Sequence, residues 1–239
     1  MTEHANGEHA GKTVIAVGGH IGDMELTAGP TLAKMVLEGA RAIIIDCTYG
    51  ERGHPTLVPS VYREQKLAEA RHFADAIGAE LIVLDYSDGF LPDDEAVAEQ
   101  IAHVIREAKP DVLITHWLHS MHRDHERAAA AALRAAFLAS IPIEEEPLPR
   151  HSVPQILHAE NWEDMEGFEA DVFVPIPEPA FQRWLDGISE HAFARGETYG
   201  FRFIDYYEAL MRVKGCLVGH ERACAFRSAG TEKFTLAGP

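Results

Sequence analysis

Two histidine clusters in this chain of 239 residues carry residue types and spacings suited to metal chemistry. The first is Gly19-His20-Ile21-Gly22-Asp23-Met24-Glu25 and the second is Met121-His122-Arg123-Asp124-His125. A histidine three residues before a carboxylate, set against two histidines three apart, is the raw material of a site with two imidazoles and one carboxylate. Three protein ligands leave a coordination position open to water or substrate, which marks a catalytic site rather than a structural one. The expected ligands are His20, Asp23 and His125, and the expected ion is zinc. The same ligand types also form the facial triad of non-haem iron, which ranks behind zinc here because a doubly wound sheet is an unusual home for that chemistry.

Clusters so far apart need a fold that brings them together. Thr13–Val17, Ala42–Asp46, Leu81–Leu84 and Asp111–Thr115 are short apolar runs that read as buried strands. Between them Glu25–Leu37, Tyr62–Ile77 and Glu95–Ala108 have helical periodicity, and the Ala-rich stretch Glu126–Leu138 follows as a further helix. Gly39 and Gly78 stop the first two helices. Gly29-Pro30 should disturb the opening turns of the first, because proline removes a donor. This alternation predicts an α/β fold: a doubly wound, mostly parallel, Rossmann-like sheet with helices on both faces. In strand order 3-2-1-4 the first and fourth strands are neighbours, and their carboxyl ends flank the crevice where such sheets bind ligands. His20 and Asp23 lie just past the first strand, and His116, His119, His122 and His125 just past the fourth. If His122 and His125 open the Ala-rich helix, their spacing puts both on one face.

The last hundred or so residues are less regular. Gln155–His158 and Val172–Pro175 read as strands, and Ala180–Ala194 and Tyr206–Val218 as helices. With no internal repeat or obvious linker, one domain over residues 1–239 is expected, its first eleven residues flexible. The net charge of −17 argues against nucleic acid or an anionic membrane as partner. The charge itself identifies no partner, and a homo-oligomer is left open. Cys47, Cys216 and Cys224 form no even disulfide framework and read as reduced packing residues. The polar start MTEHANGEHAGK is no secretion signal, and no apolar run nears the ~18 residues of a membrane span. A cytoplasmic location is expected.

The segment from His20 to Leu26, continuing through Gly29-Pro30-Thr31-Leu32-Ala33, resembles the His-Pro-Asp-Asp-x-Glu signature of the PIG-L/LmbE-like N-acetylglucosaminyl deacetylases. His122-Arg123-Asp124-His125 resembles that family's His-x-Asp-His motif. Between them lie further matches: Gly50-Glu51-Arg52-Gly53, Arg63-Glu64, Asp88-Gly89-Phe90-Leu91 and Pro110-Asp111. Arg222-Ala223-Cys224-Ala225-Phe226 resembles a helical segment the family often carries. The resemblance implies a zinc-dependent hydrolase of a C–N amide bond, deacylating an acetylated amino sugar or a related conjugate. It implies His20, Asp23 and His125 as zinc ligands and His122 as the group that stabilises the oxyanion or protonates the leaving amine. Asp124 would orient a histidine, as carboxylate partners of imidazoles do, and Glu25 would be structural.

The departure lies at Gly22, where the family has the aspartate that serves as general base; Ile21 replaces the proline before it. Losing a positioned base removes about 10²–10⁴-fold in rate. Glu51, Asp88 and Asp124 are the carboxylates placed to substitute, and an aspartate returned at position 22 is expected to raise the rate. The alternative is a member of the fold that binds zinc and ligand with lost or altered chemistry. Glu51, Arg52 and Asp88 are the expected substrate-binding residues. His54, His116, His119 and His158 read as polar loop or strand-end residues, with His119 able to reach the pocket; Trp184, Tyr206 and Tyr207 read as packing.

Overall fold

The β-branched runs and the glycines between them separate into strands, helices and turns in a computed structural model that describes residues 7–144, 146–163 and 166–230. Of the N-terminal stretch expected to be flexible, residues 1–6 lie outside the described ones. Gly7–Ala10 forms a turn, in which Ala10 N donates to Gly7 O, and His9 pairs with Glu38 at 3.3 Å.

The first half alternates as its periodicity requires: β1 (Thr13–His20), α1 (Asp23–Thr27), α2 (Gly29–Leu37), β2 (Arg41–Thr48), α3 (Pro59–Ile77) and β3 (Glu80–Tyr86). It continues with α4 (Glu95–Ala108), β4 (Val112–His116) and α5 (Arg123–Ser140). The single helix expected over Glu25–Leu37 is two, broken at Ala28, and Pro30 sits in the first turn of the second, where a missing N–H costs nothing. At Gly29 a Cβ would lie 2.8 Å from Trp184 Cδ1 and 2.9 Å from Phe73 Cζ, so glycine lets α2 press against those rings.

The remaining elements are β5 (Gln155–Ala159), β6 (Val172–Pro175), α6 (Glu178–Ile188), α7 (Phe203–Val218) and β7 (Ala223–Ser228). Two expectations fail here. Arg222–Phe226 is not helical: Ala223 to Phe226 are all buried, and the segment inserts as β7, antiparallel to both β5 and β6. Helix α6 stops at Ile188 instead of reaching Ala194. Consecutive tight turns follow, with Ala194 N donating to His191 O and Gly196 N to Phe193 O, and they carry Phe193 toward the end of β1.

The described strands form one sheet in the order β3-β2-β1-β4-β5-β7-β6, parallel from β3 to β5. One apolar layer packs α1, α2, α6 and α7 on one face, and the other packs α4 and α5 on the opposite face. This is the doubly wound α/β sheet, with β1 beside β4. Among the described residues no helix is long and apolar enough to cross a membrane.

Candidate metal centre and its cavity

Strand β1 ends on His20, and the chain turns at once into α1, whose first residue is Asp23. Asp23 Oδ2 accepts from His20 N at 2.8 Å and lies 3.1 Å from His20 Nδ1. On the neighbouring strand His116 closes β4, its Nε2 accepting from Gly19 N at 2.9 Å and standing 3.2 Å from Asp23 Oδ2. His122 caps α5: its Nδ1 accepts from Asp124 N at 3.3 Å. One turn on, His125 Nε2 lies 3.3 Å from the same Asp23 oxygen. The His116 and His125 rings stack at 4.1 Å, and the His122 ring lies 4.5 Å from that of His20 and 4.9 Å from that of His125.

The carboxyl ends of β1 and β4 thus bring both histidine clusters to one point. His20, Asp23, His122 and His125 all border a cavity of about 530 Å³ there. Possible ligand atoms lie within 4.8 Å of one another in three overlapping sets: His20 with His122 and His125, Asp23 with His116 and His125, and His20 with Asp88 and Asp124. The sequence-derived set of His20, Asp23 and His125 spans the first two. Burial disfavours charge on both His20 and Asp23. For Asp23 the charges of His125 and His20 overcome it and hold the carboxyl well below its ordinary range. For His20, Asp23's charge and hydrogen bonds to Asp124, Asp23 and Asp88 overcome it and hold the ring well above its ordinary range. His122 moves the other way: burial and the charges of His20 and His125 lower its pKa, so the ring is neutral at neutral pH. With Nδ1 accepting from Asp124 N, its remaining proton sits on Nε2.

Position 22 is built for glycine. Its φ is +106°, a region other residues rarely adopt, and a Cβ would lie 2.3 Å from Phe193 Cζ and 3.3 Å from Lys66 Nζ. The phenyl ring therefore fills the space of any side chain there. Below the turn, Gly22 N donates to Glu25 Oε2 at 2.8 Å, and Lys66 Nζ donates to Ile21 O at 2.5 Å. Burial raises the Glu25 pKa to about 7 and lowers that of Lys66. Glu25 closes the turn from beneath and does not border the cavity.

Of the three residues expected to bind substrate, Asp88 alone borders the cavity, with Oδ1 3.2 Å from His20 Nε2 and Oδ2 accepting from Arg52 N. Glu51 lies behind it and accepts from Asp88 N at 3.0 Å. Arg52 extends over Phe90, 5.1 Å from its ring centre, and its side chain is half exposed. Asp124 is fully buried; it accepts from Gly89 N and Leu91 N and lies 3.5 Å from His20 Nε2. Among the other histidines, His119 faces a neighbouring surface depression, while His158 Nδ1 donates to His116 O at 2.6 Å.

Several cavity or centre residues escaped the sequence reading, among them His116, Lys66, Glu163, Phe193 and the aromatic side chains of Trp162, Phe201 and Phe203. His116 was set aside as a strand-end residue, although as the last residue of β4 it stands where such sheets place ligands. Lys66 had a signal: it falls on the buried stripe of α3 with Tyr62 and Ala70. Glu163, 3.4 Å from His125 Nδ1, comes from an irregular segment that no periodicity marks, and Phe193 from the turns that replace the end of the helix expected over Ala180–Ala194.

Comparison with known proteins places this geometry among relatives. The family described as PIG-L, GlcNAc-PI de-N-acetylase, matches residues 15–136, more than half of the chain. A 1D-myo-inositol 2-acetamido-2-deoxy-alpha-D-glucopyranoside deacetylase of Catenulispora acidiphila is 28% identical over 233 residues, covering 84% of this chain and 66% of its own. The chain spans between about half and two thirds of the length of the curated relatives it matches first. Among solved structures, the 4-carboxy-2-hydroxymuconate hydratase of Pseudomonas putida superposes with a TM-score of 0.84 at 18% identity, over 95% of this chain and 100% of that one. The N,N'-diacetylchitobiose deacetylase of Pyrococcus horikoshii gives 0.75 at 20% identity, over 91% and 83%. At these identities the structural likeness speaks for the fold.

Proposed function

This chain belongs to the PIG-L family of GlcNAc-PI de-N-acetylases, and from that premise we propose that it is a metal-dependent hydrolase of a C–N amide bond, removing the acyl group from an N-acetylated amino sugar or a related small-molecule conjugate. The observation that carries this reading is the meeting of His20, Asp23 and His125, from opposite ends of the motif map, around one carboxylate oxygen on a cavity wall. The related deacetylases of acetamido sugars support the bond type.

The residues fit a divalent ion. Asp23 Oδ2 has four nitrogen neighbours within 3.3 Å, more than the lone pairs of one oxygen can serve, and a shared cation relieves that crowding. Imidazoles with a carboxylate are the donor set zinc prefers. In this reading His20, Asp23 and His125 hold the ion, and His116 stands beside Asp23 at the end of the next strand. Zinc in such a set supplies Lewis acidity toward an amide carbonyl.

The chain's own groups do the rest. His122, neutral with its proton on Nε2, donates a hydrogen bond from there to the developing oxyanion. Asp124 anchors the 87–91 loop through Gly89 N and Leu91 N, which holds Asp88 against His20. Gly22 accepts no proton. By placement, Asp88 is the member of the trio Glu51, Asp88 and Asp124 that can take one from a molecule in the cavity.

The test is amine release from N-acetylglucosamine and N-acetylglucosaminyl-inositol by the purified chain. Turnover should vanish on chelation and return with zinc. Turnover indifferent to chelation, or none across acetylated amines with zinc bound, would contradict the reading.

Gly22 and the ring of Phe193 in its place favour a second reading, in which the centre is kept and the chemistry is altered. The fold it shares with the Pseudomonas putida hydratase shows that this architecture also carries water addition. Hydration of an unsaturated carboxylate without amine release, by the same zinc-loaded preparation, would select it.

A further inference from the structure

One stretch of the cavity wall is aromatic, beside the polar side chains of Asn161, Glu163, Tyr199 and Tyr207. Phe193, Phe201, Phe203 and Trp162 all border the cavity. They touch in sequence: Phe193 and Phe203 with centroids 5.5 Å apart, Phe203 and Phe201 at 4.6 Å, and Phe201 and Trp162 at 4.8 Å with planes 28° apart. Lys66 Nζ, 3.9 Å from the Phe193 ring centre, braces the end nearest Gly22.

Such a run of rings would ordinarily be core. Here it is core on one side and a cavity wall on the other: Phe193 and Phe203 are buried, while Phe201 and Trp162 are half-buried along the open space. The phenyl faces themselves offer a sugar's hydroxyls no partner, and each hydroxyl needs one once desolvated. The nearby Tyr207 hydroxyl already donates to Asn161 Oδ1 at 3.0 Å. A flat apolar group has nothing to lose there, and it gains both buried area and ring stacking.

We infer that this shelf receives a flat aromatic or conjugated group of the substrate, attached next to the bond that reacts. The substrate class is then an acylated amine, a sugar amine included, that bears an aryl or conjugated substituent. The inference rests on the proposed hydrolase reading for the bond cleaved, but the shelf and its preference stand on the cavity alone.

The experiment separates the two. Para-nitrophenyl glucoside and methyl glucoside share a sugar, differ in one ring and contain no amide, so their affinities for the zinc-loaded protein by calorimetry report the shelf without catalysis. The aryl glucoside should bind about tenfold tighter or more. Phe201→Leu and Trp162→Leu should each cut that ratio severalfold, and the wild-type comparison stands even if a variant fails to fold. Equal affinities, no binding of either compound, or a ratio untouched by both substitutions in folded protein would overturn the inference. Amine release from the N-acetylglucosaminide counterparts reads the other claim. An aryl preference in binding with no amine ever released leaves the shelf standing and removes the hydrolase; release from both at equal kcat/KM, with equal affinities, does the reverse.

Discussion

At residue 22 a backbone angle and a phenyl ring decide what chemistry can be restored. The sequence suggested that an aspartate there would return a base. The structure argues against it, because φ is +106° and Phe193 Cζ stands 2.3 Å from where a Cβ would be. Strain at a positive φ costs about 1–3 kcal/mol, and overpacking adds about 1–3 kcal/mol. Gly22→Asp is therefore expected to lower the melting temperature by several degrees and to leave turnover per bound metal no higher than wild type. Adding Phe193→Ala should recover part of the lost stability, a non-additivity expected of residues in contact. A single variant as stable as wild type and faster per metal would refute this account of Gly22. Position 22 also shows where sequence reading stops. The missing carboxylate is visible in the chain, but the ring that takes its place comes from a turn 170 or so residues later and leaves no local trace.

Among the elements, β1 and β4 fix the geometry, and a half-buried carboxylate ties their starts together. Asp111 accepts from Lys12 Nζ at 2.8 Å and from Thr13 N at 2.9 Å. The hydrogen bond from Lys12, with that from Thr13, holds the Asp111 carboxyl below its ordinary range. A depressed carboxyl contributes stability that is present above the unfolded pKa of about 3.9 and fades as pH falls through the folded value. Asp111→Asn should thus cost about 1 kcal/mol or less near pH 7, given its partial exposure, and the gap from wild type should narrow as pH falls through the depressed folded pKa. Urea denaturation at several pH values checks this, and a gap that persists at the acid end would contradict it. The pairing of β1 with β4 was legible in advance, since apolar strands alternating with capped helices admit few parallel orders. The far edge was not. Its short strands pair antiparallel through β7, whose Ala-Cys-Ala-Phe run carries no clear period, and only tertiary pairing makes it a strand.

For the whole molecule, the doubly wound sheet explains why a centre can be assembled from two short motifs while the walls around it come from elsewhere. His20, Asp23, His122 and His125 were readable because strand ends adjoin in such a sheet. His116 was not singled out, since one strand-end histidine looks like another until its neighbour on β1 is known. The cavity's aromatic wall belongs to the irregular second half, where sequence similarity to the family is thinnest. Central to the account is that these strand ends hold one divalent ion. Elemental analysis of the wild type and of His125→Ala, each purified with zinc and checked by circular dichroism, tests it most directly. The account predicts about one zinc per wild-type chain, and under about a tenth of that in a variant with an unchanged spectrum. Full zinc occupancy in folded His125→Ala would contradict it.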